Sequence, residues 1–456
     1  MREILAEGDL RVHVVGIGGI GMSGIALILK GRGFEVQGSD IRESSMVKRL
    51  REKGIKVFVG HHPENVKGAD VLIHSSAVKE DNPEIAEARR RKIPVIPRSD
   101  VLADIMKLTE SIAVAGTHGK TTTSSMISRI LYGAGLKPTI LVGGSLSFLG
   151  GYNAVQGEGK WLVAEADESD GTFLKLNPTL SVITNVDADH LDYYGSFKRI
   201  KEAFLEFANR TSFYGKLFAC IDCPNTKEVY RKVYKRKSSF GLSPEADFQA
   251  RGVVPVGLGT IFEVYYRGKR LGRVKLNVPG KHNVVNALGA IAVSLEVGIP
   301  FSEIAQGLEE FKNAKRRMEL KGSFRGITFF DDYGHHPTEI EASYRAIKEA
   351  FPDRRVVVLF QPHRYTRTAS LWKEFIRVLK GIENLYICDI YPAGERPIEG
   401  ITAQRLAKEC GAPYCGGLKE AVEYLKGELR PGDVLLTLGA GDITNFFKLF
   451  TGESSE

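Results

Sequence analysis

Cysteine is scarce in this sequence. Five residues in 456, without the even, regular spacing of a disulfide framework, fit a reducing compartment. Cys220 and Cys223 form a CxxC, but Cys410 and Cys415 have the wrong spacing to complete a zinc ribbon, so ordinary buried thiols are expected. Long apolar runs are missing too. No stretch approaches about 18 uninterrupted apolar residues, and the opening MREILAEGDL lacks the apolar centre of an export signal. A cytoplasmic protein without membrane insertion is therefore expected. Concentrated charge is the third absence. The net charge is +8, but lysines and arginines are dispersed, and the densest run, RKVYKRK (231–237), is short and reads as a solvated helix face. No nucleic-acid partner is expected, and small anionic substrates would suit the excess.

What is present is an ordinary globular composition, 43% hydrophobic and 26% charged, in a chain too long for one core. Val- and Ile-rich runs alternate with helical patterns: RVHVVGI, DVLIHSS and SIAVAG are each followed by a helix. That rhythm predicts an α/β protein of parallel sheets with crossover helices. Three blocks emerge, at 1–107, 108–315 and 316–456. The second passes through WLVAEAD and LSVITNV to the helix NVVNALGAIAVSL, with antiparallel hairpins between about 246 and 279 around Tyr265, Tyr266 and the turn RGKR. The third follows Arg316 and Arg317 with strands ITFFDD, RVVVLF, LYICDI and DVLLTLGAG.

Each block carries chemistry at strand ends. GIGGIG places Gly16, Gly18 and Gly21 between a strand and a helix, with Asp40 ending the next strand, the spacing of a dinucleotide or nucleotide fold. A dehydrogenase is one reading, but it would not need the second loop, GTHGKTTT (116–123). That loop lacks the first glycine of GxxxxGK[ST], since Val114 stands there, yet keeps its working end: backbone N–H groups and Lys120 for phosphates, and a threonine hydroxyl for Mg²⁺. A phosphate-loop switch or motor is a further alternative. AEADESD supplies Glu165, Asp167, Glu168 and Asp170, and NVDADHLD supplies Asp187, Asp189, His190 and Asp192, which together suggest a metal nucleotide. Beyond ITFF and RVVVLF, the runs DDYGHHPTE and QPHRYTRT bring His335, His336, His363, Arg364 and Arg367 to one edge, where arginine forks suit a carboxylate.

In chain order, GIGGIGMSG, SSAV (75–78), GTHGKTTT, AEADESD, NVDADHLD, PGKHNVVNA (279–287), DDYGHHPTE and QPHRYTRT resemble the Mur ligase family over essentially the whole chain. The alanine-adding branch is the nearest in pattern. The resemblance implies a Rossmann-like N-terminal domain for a UDP sugar, a central P-loop ATPase-type domain and a Rossmann-like C-terminal domain for the amino acid. It implies ATP-dependent joining of L-alanine to the lactyl carboxylate of UDP-N-acetylmuramate through an acyl phosphate, with Mg²⁺ or Mn²⁺ and without NAD or flavin. These small molecules are the implied partners, and the implied assembly is a monomer or weak homodimer.

The same resemblance implies roles residue by residue. Gly16, Gly18, Gly19, Ile20, Gly21, Met22, Ser23, Ser39, Asp40, Ser75, Ser76 and His118 would bind the UDP sugar. Gly116, Thr117, His118, Gly119, Lys120, Thr121, Thr122, Asn283, Asn286, Arg317 and Asp332 would bind ATP. Thr121, Glu165 and His190 would hold the metal, and Tyr333, His335, His363, Arg364 and Arg367 the alanine. Lys120, Glu165, His190, Arg317 and His335 would be catalytic. The sequence departs from the wider family at Phe204, where other members carry a lysine modified to a carbamate; the alanine-adding branch lacks it as well. Met318 replaces the phenylalanine that usually follows the two arginines. The DNPR signature of diaminopimelate-adding relatives is absent from the third block, and DNPE (81–84) lies in the first.

Overall fold

The computed structural model describes residues 10–75 and 77–452, apart from the side chain of Asp192. Ser76, expected at the sugar nucleotide, lies outside the described residues. The first sheet contains β1 (Arg11–Val15), β2 (Glu35–Asp40), β3 (Lys56–Val59), β4 (Val71–His74) and β5 (Val95–Pro97) in the order β3-β2-β1-β4-β5, all parallel. Its central strands are buried on both faces, with Val14, Val15 and Leu72 at 0% exposure, which is why they read as continuous apolar runs. Strand order reverses beside β1, and the helix Ile20–Gly31 starts there, at the crevice where such sheets bind ligands.

The second sheet comprises β6 (Glu110–Ala115), β7 (Thr139–Leu146), β8 (Tyr152–Val155), β9 (Trp161–Glu165), β10 (Leu180–Ile183), β11 (Lys216–Cys220), β12 (Lys237–Gly241), β13 (Phe248–Val256), β14 (Gly259–Tyr266) and β15 (Lys269–Leu276). Their order is β15-β14-β13-β12-β11-β10-β6-β9-β7-β8. The parallel strand β6 lies between β10 and β9, so the C-terminal ends of all three converge. At the RGKR turn, Arg267 (φ 47°) and Gly268 (φ 80°) both take left-handed backbone, as the mirror-image turn of a tight hairpin requires.

The third sheet holds β16 (Glu319–Phe324), β17 (Ile327–Asp332), β18 (Val356–Phe360), β19 (Leu385–Ile387) and β20 (Val434–Leu438), ordered β16-β17-β20-β18-β19. β17 and β18 flank β20 in parallel, which carries the two histidine motifs to the same sheet edge.

Two features depart from the sequence-based reading. β16 and the β7–β8 hairpin add antiparallel edges that were not expected. ELKGSF has no apolar run and is bulged between Leu320 and Gly322, and β7 is interrupted by Gly143 and Gly144, so neither carries a strong period-two signal. The run RKVYKRK is not one helix face: only Arg231 and Lys232 lie in the helix Pro224–Lys232, and Lys237 already begins β12. A four-residue apolar period cannot be read from seven mostly charged residues.

All five cysteines are free, with Cys220, Cys388 and Cys415 buried, and burial pushes the Cys220 thiol up to about 12. Phe204 is wholly buried, edge-on to Phe173 at 5.3 Å, so the position of the family's modified lysine is core here. By contact density the chain groups into two compact units. One holds 1–251, 263–273 and 285–311, and the other holds 252–262, 274–284 and 312–456. Among the described residues no helix is long and apolar enough to cross a membrane.

Candidate active site

The glycine loop after β1 is closed by main-chain bonds. The N–H groups of Gly16 and Ile17 donate to the Ser39 carbonyl, and Gly16 has φ 73°. Asp40 accepts from the Gly18 N–H at 2.9 Å, and a Cβ on Gly18 would lie 2.8 Å from that carboxylate. Here the glycine pattern and the acid at its expected distance meet directly. Ile20 and Gly21 form the start of the helix, Met22 points into the core, and the Ser23 hydroxyl donates to the Ile20 carbonyl. Gly19 is the residue before that helix, and its carbonyl accepts the Ser23 N–H.

Ser39 is buried and donates to Glu84 at 2.5 Å, within a network that also joins His13 and Asn65 to Glu84. Burial alone would raise the Glu84 carboxyl, but these hydrogen bonds hold it at about 2. This buried anion supports the strand that carries Asp40, and nothing local in the sequence announced it. Ser75 accepts from the Ala77 N–H just past β4.

The phosphate loop after β6 is tied to the end of β10. Asn185 accepts from the His118 N–H at 2.8 Å and donates to the His118 carbonyl at 2.9 Å, while the Asp187 N–H donates to the Thr117 hydroxyl. Gly116 (φ 139°) has no room for a Cβ against the Thr184 hydroxyl, and at Gly119 (φ 83°) a Cβ would lie 2.6 Å from the Asn286 amide oxygen. Both glycines are thus required by sterics as well as by backbone conformation. The helix Lys120–Gly133 begins at once, with Thr122 buried, leaving its first N–H groups and its dipole facing the loop.

Lys120 donates to the Gly116 carbonyl at 2.5 Å and to Glu168 at 2.7 Å. Burial works against its charge, but Glu168 and Asp167 hold its pKa above the ordinary lysine value. Burial pushes the Glu168 carboxyl up, and the Lys120 ammonium opposes that shift. Glu168 is thus the internal counter-ion of the loop lysine, a role that its place in an acidic run did not disclose. Thr121 donates to Glu165 at 3.2 Å, and Ser124 and the Gly143 N–H from β7 also donate to that carboxylate. Thr121 and Glu165 are therefore brought together. His190 takes left-handed backbone (φ 55°) and places Nε2 4.0 Å from Glu168 and 3.6 Å from Asp189. The hydroxyl and carboxylate oxygens of Thr121 and Glu165 are the hard donors that Mg²⁺ or Mn²⁺ takes.

The second unit holds the third cluster. Arg316 (φ 61°) donates to the carbonyls of Gly439 and Ala440, whereas Arg317 lies over Tyr333 and 3.7 Å from Glu339. Asp332 is buried and accepts from the N–H groups of Met318 and Gly334 and from the Ser343 hydroxyl, so its carboxylate pins the arginine turn. Asn283 is buried and donates to the Pro279 carbonyl. Tyr333, His335, His363 and Tyr391 form a run of ring contacts, with His363 stacked on Tyr391 at 5.6 Å. The His335 Nδ1 donates to the Tyr333 carbonyl, since a carbonyl can only accept. Arg367 donates to the His363 Nδ1 at 3.3 Å; burial together with His335 and the arginines pushes His363 down to about 4, so it is neutral at pH 7. Arg364 (φ 70°) instead pairs with Glu395 at 2.7 Å, a partner that no motif indicated. His336 caps the helix Pro337–Ala350.

Comparison with known proteins follows the same three blocks. Residues 11–109 match the model "Mur ligase family, catalytic domain", 114–294 match "Mur ligase middle domain" and 316–441 match "Mur ligase, glutamate ligase domain". A UDP-N-acetylmuramate–L-alanine ligase of Geobacter sp. (strain M21) is 51% identical over 439 residues, covering 95% of each chain. One from Aquifex aeolicus (strain VF5) is 49% identical over 450 residues, covering 99% of each. Among solved structures, a UDP-N-acetylmuramate-alanine ligase from Thermotoga maritima superposes with TM-score 0.83 at 31% identity, covering 97% of this chain and 98% of that one. A murein peptide ligase from Psychrobacter arcticus shares the fold at TM-score 0.73 and 22% identity, covering 98% of this chain and 100% of that one.

Proposed function

The chain belongs to the Mur ligase family, and on that premise we propose that it joins L-alanine to the lactyl carboxylate of UDP-N-acetylmuramate while ATP becomes ADP and phosphate, a step of peptidoglycan precursor synthesis. The observation that carries the chemistry is the pairing of two glycine-bounded loops in one compact unit, one beside Asp40 and the other beside Lys120. The blocks 1–107, 108–315 and 316–456 serve as the sugar-nucleotide, ATP and alanine domains. The enzyme works in the cytoplasm as a monomer or weak homodimer, and NAD and flavin have no part in it.

A carboxylate resists attack by an amine because it is negatively charged and has no viable leaving group. Phosphorylation gives an acyl phosphate, the alanine amine attacks it, and phosphate leaves. Lys120 can leave Glu168 for the β- and γ-phosphates, where a buried ammonium stabilises charge that grows during transfer. Thr121 and Glu165, with His190, would hold Mg²⁺ or Mn²⁺, which when bound neutralises phosphate charge. Asn283, Asn286, Arg317 and Asp332 make the nucleotide's remaining contacts. On the alanine side, Arg367 offers its guanidinium fork to the carboxylate, and His335 accepts the proton that the ammonium must lose.

Phosphate release with each substrate omitted in turn tests this reading. Turnover must require ATP, UDP-N-acetylmuramate and L-alanine together. Titration with UDP-N-acetylmuramate, UDP and NAD adds a second check, and preferential binding of NAD beside Asp40 would sink the assignment.

A further inference from the structure

Between the helix Ile20–Gly31 and the ends of β7 and β9 lies a cavity of about 270 Å³, lined by Gly21, Arg98, Lys120, Glu165, Asp167 and Phe173 among others. Arg98 and Lys120 are the only cations among the described residues that line it. They belong to different parts of the site. Lys120 comes from the phosphate loop, whereas Arg98 is the first residue of the helix Arg98–Lys107 and reaches back to the first glycine loop. Its guanidinium lies so close to Gly21 that a Cβ there would force the arginine side chain to move. It also lies 3.6 Å from Asp167. A cation in the first turn of a helix opposes the helix dipole, and no side chain caps this helix, so the placement has a local cost. The Arg98 side chain also keeps 29% exposure and thus remains accessible from the cavity.

From this geometry we infer that Arg98 is a substrate-binding residue: it holds an anionic group of the sugar nucleotide, its diphosphate or its lactyl carboxylate, on the wall facing Lys120. The inference rests on the substrate reading above. Acyl-phosphate formation requires a carboxylate oxygen to approach a negatively charged phosphoryl group. Lys120 compensates the phosphoryl side, and Arg98 compensates the carboxylate-bearing substrate before the two meet. A planar guanidinium can bind either oxyanion through two parallel hydrogen bonds, which lysine cannot reproduce.

The test is calorimetric titration of the full chain with UDP-N-acetylmuramate and, separately, with a non-hydrolysable ATP analogue. Arg98→Ala is expected to raise the Kd for the sugar nucleotide at least about tenfold and Arg98→Lys to raise it less, with ATP-analogue binding within about twofold of wild type in both. Asp167→Asn removes the ion-pair partner of Arg98 but no cation, so sugar-nucleotide binding should be unchanged or tighter. Three results would overturn the role: an unchanged Kd in Arg98→Ala, equal weakening by Arg98→Ala and Asp167→Asn, or joint loss of both ligands in both Arg98 variants. A wild-type chain that binds the ATP analogue but not the sugar nucleotide gives a different pattern, and rejects the substrate reading together with the role of Arg98.

Discussion

The phosphate loop around Lys120 and the ring cluster around His363 hold their cations in opposite ways. Lys120 is gripped by a main-chain carbonyl and a buried carboxylate, in a loop whose two glycines leave no room for a side chain. Arg367 instead donates to a side chain, the neutral His363 imidazole, which is itself stacked on Tyr391. A site built from backbone has few ways to yield, whereas one built from side-chain contacts can readjust. Substitutions should therefore act nearly all-or-none in the first region and by degrees in the second.

The sharpest break is Lys120→Ala. Turnover should fall by at least about 10²-fold, because a charge contact made in the transition state disappears. Calorimetric affinity for UDP-N-acetylmuramate should stay nearly intact, and parallel loss of both ligands would show that the loops are not separate sites.

Gly116→Ala ranks second. The added methyl meets the Thr184 hydroxyl at a backbone conformation that L residues rarely adopt, so stability should drop by about 1–3 kcal/mol, read as a lower urea midpoint with an unchanged slope. A neutral outcome would mean that this loop is as pliable as the ring cluster.

Arg367→Lys comes third. Loss of one charge-assisted hydrogen bond, worth about 1.5–3 kcal/mol, should raise the KM for alanine by about tenfold or more while affinities for ATP and the sugar nucleotide change less. Steady-state assays at saturating ATP and UDP-N-acetylmuramate decide it: unaltered kcat and KM for alanine would remove Arg367 from the site.

The smallest effect concerns protons. His363 is pushed down to about 4 from an ordinary 6.5, so between those values the unfolded chain binds more protons than the folded one. The contribution of neutral His363 to stability is present above about 6.5 and is lost as pH falls toward 4. His363→Asn should flatten that part of the profile. Urea midpoints at pH 7 and pH 4.5 measure it, and an equal acid loss in both proteins would assign the titration elsewhere.

Much of the architecture was legible without coordinates. The strand-to-helix position of both glycine loops follows from a Val-rich run, a glycine cluster and a helical period that lie within about 20 residues of one another. Asp40 could be found for the same reason, since β2 follows β1 through one crossover. The antiparallel edge β16 was not legible, because a bulged, half-exposed edge strand carries no apolar period.

By itself, then, the sequence determined which loops exist, in what order, and where glycine is obligatory, because these depend on local backbone sterics and on short-range hydrophobic period. Only the tertiary structure decided which charges face one another. Glu168 meets Lys120 across 48 residues, and Glu395 meets Arg364 across 31. Arg98 reaches Gly21 from a different helix, and Phe204 joins an aromatic core with Phe173. Such pairings are set by strand order, with β6 between β10 and β9 and β20 between β17 and β18. No local pattern records that order, because it is fixed by how the sheets bury their faces and not by any residue's own conformational preference.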